Sequence, residues 1–83
     1  MPTLAIIDGM RLVMYWNDHP PAHFHVLMAE SRAVVEIGTL RVVAGRLPKS
    51  KLAKVRAWAK DRNDRLMVAW ERVQAGKPVG RLK

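Results

Sequence analysis

The apolar residues of this chain change period once, at Ala44-Gly45. Before that point they alternate, as the two faces of a β-strand require. Beyond it they recur every three or four residues. Leu52, Val55, Ala59, Leu66, Trp70 and Val73 fall within roughly 60° of arc at about 100° per residue, a single stripe on a helix. Such a chain can close one sheet and lay its helical part on one face of it. The expected class is therefore α+β: an antiparallel meander sheet of four or five strands packed on one long C-terminal helix.

Turn residues divide the sheet half, about 3–43, into strands. Residues 3–7 read as the first. Asp8-Gly9 suits the two positive φ angles of a type I′ hairpin turn, and the return strand is 10–16. Asn17 to Ala22 must be a loop, because Pro20 and Pro21 withhold two backbone donors and bias His19 away from the helical region. Strands follow at 23–29, 32–37 and 40–43, with turns at Glu30-Ser31 and Gly38-Thr39. The helix runs from about 49 to 75, on the order of 40 Å. Pro48 sits in its first turn, where a missing donor costs nothing, and Gly76 and Pro78 stop it. Arg62 and Asn63 interrupt the stripe, so two helices with a break near Asn63 are the alternative. Residues 76–83 read as a frayed basic tail.

The 83 residues suffice for one domain and one core, burying about 60–65% of the unfolded surface. The absence of cysteine excludes disulfides, thiolate nucleophiles and cysteine-based zinc sites, and suits a reducing compartment. No apolar run approaches the roughly 20 residues of a membrane span. Asp8 interrupts the N-terminal apolar run too early for a signal peptide, so a cytoplasmic protein is expected, without membrane association. Fifteen basic residues against 7 acids leave a formal charge of +8. On so small a surface that field favours an anionic partner, RNA or another nucleic acid or an acidic protein, over charge that serves solubility alone.

Sorting the strands by face separates two sets. Met10, Leu12, Met14, Trp16, Phe24, Val26, Met28, Ala33, Val35, Ile37, Leu40 and Val42 are apolar and should meet the helix. Arg11, Val13, Tyr15, His23, His25, Leu27, Arg32, Val34, Glu36, Arg41 and Val43 form the other face, which gathers two histidines, a phenol, a carboxylate and three guanidiniums. His23 and His25, with Tyr15, are the catalytic candidates. Two histidines about 6.5–7 Å apart along a strand can act as general base and general acid across a phosphodiester, while Arg11, Arg32, Arg41 and His19 hold phosphate. This reading makes the chain a metal-independent endoribonuclease or RNA binder, with no cofactor. A His/carboxylate metal site built from His19, His23, His25 and Glu36 is the weaker alternative, since arginines repel a cation. A polar sheet face without chemistry is the third. On the helix, Lys51, Lys54, Arg62 and Arg65 share a flank with Trp58 and are further candidates for nucleic acid, although Trp58 reads more simply as a core-edge residue covered by basic stems. A sheet edge and an exposed helix flank also make a homodimer an option.

The run Asn17-Asp18-His19-Pro20-Pro21-Ala22-His23-Phe24-His25-Val26 resembles a bacterial family known as domain of unknown function 4160. Pro2-Thr3, Asp8-Gly9, Gly45-Arg46-Leu47-Pro48, Ala57-Trp58-Ala59 and Trp70-Glu71 extend the resemblance over nearly the whole chain. It implies a short bacterial protein, often encoded beside a small cognate partner and sometimes labelled a component of a toxin–antitoxin module. It implies no particular activity and no catalytic residues. This chain departs from the pattern in being markedly basic. The expected function is a component of a bacterial toxin–antitoxin-like module that binds or cleaves RNA through the His/Arg sheet face. The alternative is a non-catalytic interaction module, either an antitoxin or a DNA-binding accessory.

Overall fold

A computed structural model describes residues 2–82. In chain order its elements are β1 (Thr3–Ile7), β2 (Met10–Val13), β3 (His23–Leu27), β4 (Arg32–Glu36), β5 (Val42–Gly45), α1 (Lys49–Lys60) and α2 (Asn63–Gln74). The strands pair antiparallel with their chain neighbours, giving one sheet of order β1-β2-β3-β4-β5. The α+β meander is thus as expected. Asp8 and Gly9 both have positive φ, 48° and 80°, as a type I′ turn requires. No helix among the described residues is long and apolar enough to cross a membrane.

One sheet face and the helix stripe make the core. Leu4, Met10, Leu12, Met14, Phe24, Val26, Val35 and Ile37 pack with Val55, Ala59, Leu66, Ala69, Trp70 and Val73. Each large side chain removed from water there contributes about 1.5–3 kcal/mol.

The single long helix is not formed. The chain leaves α1 at Asp61 and restarts after Arg62, whose φ is −124°. Arg62 donates from Nη1 to the Trp58 carbonyl at 2.8 Å and lies 5.0 Å from the centre of the Trp58 ring. This satisfies a carbonyl that the ending helix leaves without a partner. Seven residues separate Ala59 from Leu66, so the apolar stripe keeps its phase across the break and periodicity alone does not reveal it. α2 ends as expected at Gly76. The amides of Gly76 and Lys77 bond back to Val73 and Arg72, a Schellman arrangement with Gly76 at φ 74°.

Several face and boundary expectations are corrected. β2 stops at Val13, and Asn17 turns with φ 64°, so Trp16 leaves the apolar face and is 68% exposed. Val13 keeps the face that alternation gives it, opposite His25 in the ladder, and is nonetheless fully buried. Leu40 is not in a strand; at φ 59° it closes the β4–β5 turn through its amide to the Glu36 carbonyl. β5 begins two residues later than expected and includes Ala44 and Gly45. Residues 76–82 are not frayed: Val79 and Leu82 pack on the core, and the Leu82 amide bonds the Leu4 carbonyl at 2.8 Å.

Gly45 faces Ala33 in the ladder at φ +72°, and a Cβ there would stand 2.2 Å from the Arg32 carbonyl oxygen. Gly45→Ala should cost roughly 1–3 kcal/mol in urea denaturation, from the left-handed backbone plus the clash. Gly80→Ala, with open space around it, should be near neutral. Equal midpoints for the two variants would contradict this register.

Lys51 and Lys54 of α1 both reach the Asp8 carboxylate in the β1–β2 turn, at 2.6 and 2.7 Å. Hydrogen bonds from Lys51 and Lys54 lower the Asp8 pKa from 3.8 to about 2. A depressed carboxylate adds stability above its unfolded value and loses it as pH falls. The contribution should therefore fade between about pH 4 and pH 2. Asp8→Asn, which keeps a residue tolerant of positive φ, should reduce the slope of unfolding free energy against pH in that window and leave the slope near neutrality unchanged.

Candidate functional site

Strand alternation turns His23 and His25 to the same side of β3, opposite the buried Phe24 and Val26. Their ring centres are 5.2 Å apart. The loop leading into β3 folds back over them, and Asp18 Oδ2 lies 2.8 Å from His23 Nε2 and 3.0 Å from His25 Nε2. The last turn of α2 holds this loop. Gln74 donates from Nε2 to the Tyr15 carbonyl and accepts the Asp18 amide at Oε1, both at 3.1 Å. One turn earlier, the Trp70 ring centre lies 4.9 Å from that of His23. The site thus forms where the start of β3, the loop before it and the end of α2 meet.

Hydrogen positions follow from the acceptors. The Pro21 carbonyl, 2.8 Å from His23 Nδ1, can only accept, so Nδ1 carries a hydrogen. At Nε2 the ring then faces the Asp18 carboxylate, also an acceptor. Burial pushes the Asp18 carboxyl up, but hydrogen bonds from His25 and His23 and their charge outweigh it and hold the pKa below its ordinary value. Asp18 is accordingly a carboxylate at neutral pH.

The other predicted residues divide. Tyr15 joins the cluster, its ring edge-on to His25 at 4.5 Å. Arg32 is exposed and lines, with His25, Val34 and Ala44, a recess of about 240 Å³. His19 is exposed and outside the cluster. Glu36 faces His23 across the ladder, yet its carboxylate takes the Thr39 hydroxyl and lies 3.6 Å from Arg41, so the carboxylate expected at the histidines is the wrong one. Arg11 bonds Thr3 Oγ1 at 3.1 Å. Lys51 and Lys54 are engaged with Asp8, and Arg62 with Trp58, so these three do not form a free strip with Arg65. Arg65 lines a separate groove of about 510 Å³ between α2 and the returning tail. Trp58 packs at the core edge beneath Arg62, the simpler of its two readings.

Two residues of the site escape the sequence reading. Asp18 has a signal, since it stands within the His-Pro-Pro-x-His-Phe-His run, but loop residues have no face in a strand alternation. Gln74 has none, because nothing local distinguishes it from any polar residue at a helix end.

The histidines are unequally placed, with side chains 11% exposed for His23 and 22% for His25. His23→Ala removes a ring packed on Trp70 and two hydrogen bonds, and should cost about 1–3 kcal/mol by urea denaturation. His25→Ala should cost less than His23→Ala. The reverse order would place the load on the wrong ring.

A family model described as Domain of unknown function (DUF4160) matches residues 9–71, a span that contains Asp18, His23 and His25. No curated protein and no solved structure matches the chain. With three quarters of its length covered by that model, the chain belongs to the domain of unknown function 4160 family.

Proposed function

We propose that this protein binds RNA at the recess beside His25, as a component of a bacterial toxin–antitoxin-like module, and that any cleavage of the RNA runs through His25. The observation that carries this reading is the joining of His25, already oriented by Asp18, to an exposed Arg32 across one recess on a chain of net charge +8. An arginine there takes a phosphate through paired N–H donors. An imidazole with one nitrogen held by a carboxylate presents the other for proton transfer. Tyr15 fixes the plane of that ring. His23, packed against Trp70, positions Asp18 and does not reach the substrate. The acid–base pair expected of the two histidines therefore narrows to His25 alone.

A second reading, a protein-interaction module, is favoured by apolar groups left in water. Trp16 is 68% and Val68 56% exposed, which suits a small cognate partner.

Binding to a single-stranded RNA oligonucleotide should fall with log salt at a slope of about −3 to −4 if four to six phosphates are contacted. Arg32→Ala should flatten that slope by about 0.7. If the RNA is cut, His25→Ala should lose roughly 10²–10⁴ in rate. Salt-independent affinity excludes phosphate tracking. Growth arrest on expression, relieved by the neighbouring gene, would support the module assignment; harmless expression with tight binding to that neighbour's product would replace it with the interaction reading.

A further inference from the structure

We infer that Asp18, His23 and His25 form a binding site for a divalent first-row transition ion with open coordination positions. This goes beyond the RNA reading and does not depend on it. The sequence pattern argues against a metal because arginines surround the histidines, but the structure takes two of the three elsewhere, Arg11 to Thr3 and Arg41 to Glu36, and leaves Arg32 at the recess beside His25.

Three observations carry the site. First, one ligand atom from each of the three residues lies within 4.8 Å of the other two. The two Nε2-to-Oδ2 separations, 2.8 and 3.0 Å, match donor atoms at right angles around an ion with bonds of about 2.0–2.1 Å, which are about 2.9 Å apart. Second, His23 is already set for ligation. Its Nδ1–H is committed to the Pro21 carbonyl, so the neutral ring has its free lone pair on Nε2, facing Asp18. A backbone carbonyl that fixes the far nitrogen in this way is the usual support behind a metal-bound histidine. Third, Asp18 is held through its own backbone by Gln74, so the loop carrying the third ligand is anchored before any ion arrives.

The donor set names the class. Two imidazoles and one carboxylate suit Zn²⁺, Fe²⁺, Co²⁺ or Ni²⁺ and not the all-oxygen preferences of Mg²⁺ or Ca²⁺. Three protein ligands leave positions free, as in sites where the ion binds a substrate oxygen or a water. His25 lines the recess shared with Arg32, so an anionic group bound by that guanidinium lies next to the ion.

The test uses the untagged full chain, stripped with chelator and titrated with Co²⁺ and Zn²⁺ by calorimetry and visible absorption. Expected are one equivalent of Co²⁺ bound with a visible spectrum unlike that of the aqueous ion, its displacement by Zn²⁺, and no competition by Mg²⁺ or Ca²⁺. Asp18→Asn and His25→Gln should each weaken Co²⁺ binding at least 10–100-fold. Circular dichroism confirms that each variant is folded, and the more exposed His25 keeps the test valid should Asp18→Asn fail to fold. His19→Ala should bind as the parent does, and Arg32→Ala should retain Co²⁺ while losing RNA affinity, which separates this inference from the RNA reading. No saturable binding, or an equal loss in His19→Ala and His25→Gln, overturns the site.

Discussion

Burial of Leu66, Ala69, Trp70 and Val73 against the sheet fixes where α2 lies, and with it the two groups that organise the histidine cluster. Trp70 turns one ring to the core and to His23. Gln74, one turn on, clamps Tyr15 and Asp18 through a carbonyl and an amide. The loop between β2 and β3 has no ladder of its own there, and it takes its shape from the helix it touches. Polar precision at the site is thus borrowed from apolar packing: α2 reaches Asp18 through Gln74 and His23 through Trp70.

The charges of the chain have a similar economy. Its acids are few, and three of them are placed where basic groups converge: Asp8 on two lysines, Glu36 beside Arg41, Asp18 on two imidazoles. The exposed pairs contribute little to stability. Their effect is on the field, because they locally neutralise the hairpin end and the β4–β5 turn while Arg32 at the recess stays exposed. Of the two partly buried carboxylates in these pairs, Glu36 closes on its own turn and Asp18 lies among histidines, where the proposed affinities are for an anion at the rim and a cation at the centre. Those two affinities are not opposed when a metal and a phosphate share one site.

Much of the fold was legible in the residues. The change of period at Gly45 announced sheet then helix, Asp8-Gly9 announced its turn, and the alternation in β3 placed Phe24 and Val26 inward and His23 and His25 together. Expectation and structure part where a residue's partner is distant in sequence. Trp16 departs from the alternation because the ladder that would hold it in phase ends at Val13. The tail looked free because its anchor, the Leu4 carbonyl, lies at the other end of the chain.

Local chemistry therefore determined by itself the class of the fold, the strand carrying the histidines, and the face they share, since dihedral preference and side-chain period act over a few residues. Which carboxylate meets those histidines is not a local matter. Glu36 is their neighbour in the ladder and Asp18 is not, yet Glu36 closes onto its own turn with Thr39 while α2 draws Asp18 over the rings. Only the tertiary structure decided that, because the choice depends on a helix more than fifty residues away packing its apolar stripe against the sheet.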